Sequence, residues 1–152
     1  MNTRLDTQVR IAGQGGAGLF IDPLVIPPAD AGNSLRSGAD FTLLSPDRLV
    51  TYLARPVRTG FMDALAVFLR AAAVADGGPD VPDPFEDSLG KVRIDVTPVD
   101  GMWVEIEVRI AQMPDEDVVE FDGMNFETTR ASLLIAAQAA EAVSGRHVDE
   151  GE

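Results

Sequence analysis

Apolar and polar positions alternate most regularly between residues 91 and 111. Val92, Ile94 and Val96 fall on one face of a strand, and Lys91, Arg93, Asp95 and Thr97 on the other. The next run repeats the pattern, with Met102, Val104, Ile106, Val108 and Ile110 facing in and Trp103, Glu105, Glu107 and Arg109 facing out. Two such runs this close together predict a β-hairpin. The alternation also restricts its turn. A two-residue Asp100-Gly101 loop sets Val96 against Glu105 and mixes the faces. A three-residue loop at 99–101, with Gly101 left-handed, sets Val96 against Val104 and Ile94 against Ile106. That register places Arg93 opposite Glu107 and Asp95 opposite Glu105.

Helical spacing appears in three places. Ser45-Pro46-Asp47 offers an N-cap, a proline at the first helical position and an acid in the first turn. A helix is therefore predicted to about residue 54, burying Leu49, Val50 and Leu53 and stopped by Pro56. A second is predicted over 60–75, where Phe61, Leu65, Phe68, Leu69 and Ala72 share a face. A third runs over 130–143, capped by Thr128 or Thr129 and ended by Gly145. Its polar stripe is only Arg130, Gln138 and Glu141. Leu133, Leu134, Ala136, Ala137, Ala140 and Val143 cover the rest, which predicts burial on more than one side.

Shorter apolar runs at 8–12, 19–26, 41–44 and 118–121 read as strands. Pro23, Pro27 and Pro28 assign the second of these to a sheet edge or an extended segment. Residues 28–38 read as loop, and Asp122-Gly123 as a turn. Residues 76–90 are acidic and rich in proline and glycine, a long loop with Phe85 as its apolar anchor. Segments 41–53 and 121–143 each run strand, hydroxyl cap, helix, without residue-level similarity. The expectation is an α+β fold. One antiparallel sheet of about four to six strands is built round the 91–111 hairpin, with two or three helices on one face. It forms one domain over 1–143, followed by a disordered acidic tail at 144–152.

Charge changes this picture more than composition does. The 152 residues carry a net charge of −13, with 45% apolar residues, a globular value. Residues 1–75 hold seven basic residues against six acids, whereas 76–152 hold five against 19. Such a field opposes binding to nucleic-acid phosphate and favours a basic protein partner. Arg48, Arg55, Arg58 and Arg70 surround the middle of the chain and are expected to pair with the acidic half. With no cysteine, disulfides and thiolate chemistry are excluded. No leader-like or membrane-spanning apolar run is present, so the cytoplasm is the expected location and no membrane partner is expected.

Candidate chemistry is sparse. Residues 13–18 (GQGGAG) satisfy G-x-G-x-x-G after a predicted strand, with Asp40 about 20 residues on. The ten residues VRIAGQGGAG resemble the opening of the gamma subunits of 2-oxoacid:ferredoxin oxidoreductases, whose first strand enters a Gly-Gly-x-Gly turn. The resemblance stops at Gly18. Phosphate binding there requires a helix to begin at the last glycines. The residues that follow, LFIDPLVIPP, cannot form one past Ile21, so a glycine-rich hairpin connection is expected instead. His147, the single histidine, lies in the tail and is expected to be solvated. The acids at 80–87 and 115–117 do not match a calcium-loop spacing and read as solvated loops.

No catalytic, cofactor-binding or metal-ligating set is therefore expected. The candidate partner-binding residues are Trp103, Glu105, Glu107, Asp115, Glu116 and Asp117. Trp103, the single tryptophan, faces outward, either covered by a loop or helix or serving as an aromatic anchor. The functional expectation is a non-enzymatic acidic interaction module, regulatory, inhibitor or immunity-like, that binds a basic protein. The alternatives are an assembly subunit that uses Trp103 and the Ala-rich helix, and a nucleotide-binding or enzyme subunit that uses the glycine turn. A homo-oligomer stays open.

Overall fold

The computed structural model describes residues 3–4, 8–26, 36–112 and 120–149. The first sheet contains β1 (Thr3–Arg4), β2 (Val9–Ala12), β3 (Gly18–Ile26), β4 (Arg36–Ser45) and β5 (Arg48–Pro56). β1 and β2 follow one another along the same edge of β3, so this antiparallel sheet is four strands wide. Helix α1 (Phe61–Val74) follows it. The second sheet is an antiparallel meander of β6 (Phe85–Asp87), β7 (Val92–Pro98), β8 (Trp103–Ala111) and β9 (Phe121–Thr129). Helix α2 (Arg130–Asp149) follows it. The fold is α+β, but with two sheets and two helices where the pattern of the chain suggested one sheet.

The largest departure is at 45–56, where a strand stands in place of the predicted helix. Pro46 and Asp47 form a two-residue turn between the paired Ser45 and Arg48. A Ser-Pro-Asp sequence starts a β-turn as readily as a helix, because proline's fixed φ suits both. The β-branched and aromatic run Val50-Thr51-Tyr52 then continues as a strand. Leu49 and Leu53, expected in the core, are 64% and 70% exposed. Near its end β5 bulges, since Phe41 pairs Tyr52 but Ala39 pairs Arg55. Ala54 takes a left-handed φ of 52° there, and its N–H donates to the buried Asp40 carboxylate at 2.7 Å.

β3 is central rather than an edge, with β4 on one side and β1 and β2 on the other. Pro23 is accommodated because β2 stops opposite Ile21 and β1 starts opposite Leu24, leaving a gap in the ladder at the proline. Pro27, Pro28 and the rest of the predicted loop up to residue 35 lie outside the described residues.

The hairpin of β7 and β8 keeps the predicted faces but not the predicted register. Val96 pairs Ile106 and Ile94 pairs Val108, so the loop is two residues longer than expected. A shift of two preserves which side chains face in. The longer loop is closed by Asp100, whose Oδ1 accepts the N–H groups of Met102 and Trp103 at 2.8 Å each. These two bonds hold the Asp100 carboxyl below its usual range. Met102, expected inward, is exposed in this loop. Arg130, at the start of α2, donates through Nε and Nη2 to the Asp100 carbonyl and fixes the loop to the helix.

Asp122-Gly123, read as a turn, lies inside β9, and the 76–90 loop contains β6. Helix α1 matches its prediction to within a residue or two, and Thr129 Oγ1 caps α2 by accepting the Ser132 N–H at 3.1 Å. α2 does not end at Gly145 but continues to Asp149.

Both sheets bury their apolar faces in one continuous cluster with the helices. α2 packs on α1 and lies against β2, β3 and β4 of the first sheet, while α1 reaches β6 of the second. Each half thus contributes its helix to the other half's sheet. Phe61 of α1 links the two, its ring 5.9 Å from Phe41 of β4 and 5.3 Å from Phe85 of β6.

Candidate functional site

The outer face of the second sheet carries the residues singled out from the sequence. Its rows are fixed by strand pairing. Thr97, Glu105 and Glu127 form one row across β7, β8 and β9. Asp95, Glu107 and Asn125 form the next, and Arg93, Arg109 and Gly123 the one beyond. Trp103 pairs Thr129 at the end where α2 begins. No described element covers the rows themselves, and Glu105 and Glu127 are exposed.

Trp103 is half-buried, neither bare nor enclosed. Phe85, the apolar anchor of the 76–90 loop, points to the core and stacks near Phe61 and Phe68. Asp115, Glu116 and Asp117 lie outside the described residues. Of the six candidates, then, the structure brings together Trp103, Glu105 and Glu107, and adds Asp95 and Glu127.

The longer hairpin loop decides the electrostatics of this face. It sets Asp95 against Glu107 and Arg93 against Arg109, where the shorter loop would have set Arg93 against Glu107. Glu105 faces Glu127 directly. Like charges in directly opposed positions destabilise a sheet. Four of these groups find relief along their own strands: Arg93 Nε reaches Asp95 at 3.1 Å and Arg109 Nη2 reaches Glu107 at 3.7 Å. Arg93 also reaches Glu86 of β6 at 3.1 Å. Glu105 and Glu127 have no ion-pair partner among the described residues. The face is therefore polarised, with acid beside Trp103 and base towards the opposite end.

Other titratable groups hold the halves together. Asp122 of β9 accepts from Tyr52 Oη of β5, from Arg48 Nη2 at 3.3 Å and from Gln112 Nε2 at 3.0 Å. The Tyr52 hydrogen bond is the main reason its carboxyl sits below the usual range. Burial, together with that bond, raises the Tyr52 phenol well above its ordinary value. Arg70 and Glu141 join α1 to α2 through two bonds of 2.6 Å. Arg48 and Arg70 thus pair with the acidic half, as the charge distribution predicts. Asp87, read as part of a solvated acidic loop, is instead buried and accepts the N–H groups of Arg58 at 3.0 Å and Gly90 at 2.8 Å.

The glycine turn is the five-residue connection of the β2–β3 hairpin, between the paired Ala12 and Gly18. Gly13 N–H donates to the Ala17 carbonyl at 2.7 Å, and the chain leaves as strand β3 rather than as a helix. The helix N-terminus on which dinucleotide binding relies does not follow this turn. Gly13 has a packing role: a Cβ there would overlap the Phe126 ring and lie 2.7 Å from the Glu127 carbonyl oxygen. Asp40 is buried in the β4–β5 bulge. The side chain of His147 lies outside the described residues.

Among the described residues, no three acids or histidines converge as a metal site would require, and no helix is long and apolar enough to cross a membrane. Compared with protein families, curated proteins and solved structures, the chain matches none of them.

Proposed function

We propose that this chain is a non-enzymatic interaction module that presents the acidic end of the second sheet's outer face to a basic protein segment. The observation that carries this reading is the directly opposed Glu105 and Glu127, exposed and without a cation, beside the half-buried Trp103. Such a pair costs the free protein some tenths of a kcal/mol, and a lysine or arginine from a partner removes that cost. Trp103 adds an apolar surface against which the stem of a long cationic side chain packs. The net charge of −13 extends the attraction beyond contact distance.

The test is capture of a partner by the full chain from its source, followed by titration of that partner with the double variant Glu105→Gln, Glu127→Gln. Binding should weaken by about tenfold or more and lose most of its salt dependence. The same variant should be slightly more stable in isolation. Binding that ignores both the substitutions and the ionic strength sinks the reading.

A second reading, an assembly subunit, draws on other residues than those expected. The alanine stripe of α2 is committed to the core, but Leu49 and Leu53 project from the outer side of β5, which lies at one edge of the first sheet. A stable oligomer by light scattering at moderate salt, dissolved by Leu53→Ser, favours this alternative.

A further inference from the structure

The basic end of the same face holds a groove of about 400 Å³, within the range of small-molecule clefts. It lies beyond the acidic rows and takes no part in the protein interaction proposed above. Ser88, Lys91, Val92, Arg93, Arg109 and Phe121 line it, drawn from β7, β8, β9 and the β6–β7 turn. Three of the five basic residues in 76–152 meet here, in the half of the chain that is otherwise most acidic.

Several features mark it as more than a surface fold. Arg93 and Arg109 face each other directly across β7 and β8; each is held by a carboxylate on its own strand, and an anion between the two guanidinium groups adds to that relief. The side chain of Lys91, the single lysine, has no hydrogen-bond or ion-pair partner among the described residues, and its backbone takes a left-handed φ of 53°. That conformation is strained for a side-chain-bearing residue and persists only where its surroundings impose it. Here they do. Buried Arg55 donates through Nη1 to the Gly90 carbonyl at 3.1 Å and through Nη2 to the carbonyls of Ala111 and Gln112. The Lys91 carbonyl in turn accepts the Ala111 N–H at 3.1 Å. The turn that carries Lys91 and the strand end beyond Arg109 are thus tied to one guanidinium from the first sheet.

The lining is also amphipathic. Phe121, 51% exposed, supplies its apolar surface, whereas Val92 in the same lining is buried in the core.

We propose that this groove binds a small organic carboxylate with a planar apolar body, its carboxylate between Lys91, Arg93 and Arg109 and its ring on Phe121. Charge selects the carboxylate over more highly charged anions. The lining includes Glu86, already paired to Arg93, and Asp87, committed to backbone N–H groups. Arg93 and Arg109 are also paired to Asp95 and Glu107 on their own strands, which leaves Lys91 as the one cation of the lining without a carboxylate partner. A monoanion neutralises it, whereas a dianion adds to a chain already at −13. Guanidinium groups also match the geometry of a carboxylate.

Two-dimensional NMR of the full-length ¹⁵N-labelled chain tests this with three probes that share a ring: benzoate, benzyl alcohol and phenyl phosphate. Benzoate should shift the amides of 91–93, 109 and 121 saturably while leaving that of Trp103 unmoved. Benzyl alcohol should bind at least about tenfold more weakly, and phenyl phosphate no more tightly than benzoate. Lys91→Gln and Arg109→Gln should each weaken benzoate about tenfold, with part of the loss restored in Arg109→Lys. Arg109 is exposed, and the dispersion of each variant's spectrum verifies its fold. Benzoate shifts that do not saturate, or equal affinity for benzyl alcohol, overturn the site. Tighter binding of phenyl phosphate overturns the assignment to carboxylates.

Discussion

The two halves of the molecule share a topology and differ in what they expose. Each is a meander four strands wide followed by a helix, and each helix packs on the opposite sheet. The outer side of β5 in the first half carries Leu49, Thr51 and Leu53. The outer rows of the second sheet carry glutamates, aspartate and arginines. A shared inward pattern suffices to build the same arrangement twice, because a sheet's buried face sets its pairing and its outer face is free to vary. That freedom is where the interaction surfaces proposed above lie. The apolar outer positions suit contact with another copy, and the charged ones suit a partner or ligand of opposite charge.

The exchange of helices carries the largest expected effect. Leu133→Ala in α2 removes a fully buried side chain from the shared core and should cost about 2–5 kcal/mol in urea unfolding. Probes in both halves, Tyr52 and Trp103, should report one coincident transition. Two separated transitions would break the account of mutually braced halves.

Next in size is Arg55→Met. It removes a buried guanidinium that bonds three carbonyls of the second half from a strand of the first. A loss of about 1.5–3 kcal/mol is expected, since methionine fills the space without satisfying those oxygens. Amide exchange should quicken at Lys91 and Ala111 before it does in either helix.

Asp122 gives a smaller and pH-dependent effect. Its folded carboxyl lies below the ordinary 3.8, so the stability it supplies is fully present above that pH and is lost as pH falls through the folded value. Asp122→Asn should cost about 1 kcal/mol near neutrality and flatten stability against pH below 3.8. An unchanged acid limb would show that Tyr52, Arg48 and Gln112 do not couple to it. Leu49→Ser and Leu53→Ser should be the mildest, each within about 0.5 kcal/mol for the monomer. A larger loss that depends on protein concentration would sharpen the contrast between the halves, by showing that this face is covered in an oligomer.

How much was legible in advance follows the same division. In the second half, strict alternation at 91–111 identified the strands and their faces, and the argument against a two-residue turn held. It could not distinguish a three-residue loop from a five-residue one, because both satisfy the period. Only the bonds of Asp100 and Arg130 choose between them. In the first half, Leu49, Val50 and Leu53 fit a helix, while Val50 and Tyr52 fit a strand. Tyr52 was the signal that went unused, since its hydroxyl finds Asp122 only from a strand. Asp87 reads as part of a solvated loop, Asp122 as part of a turn and Arg55 as a partner for the acidic half, because most of the groups they bond are distant in the chain.

The sequence alone determined the apolar faces of β7 and β8, α1, the cap and core stripe of α2, and the accumulation of acid after residue 76. These are local properties, set by the spacing of side chains along one element. The tertiary structure decided the division into two sheets, the exchange of helices and the loop length that opposes Arg93 to Arg109 and Glu105 to Glu127. It also gathered Lys91, Arg93 and Arg109 around Phe121. Those outcomes depend on hydrogen bonds and ion pairs between residues tens of positions apart. No periodicity within a single element encodes them.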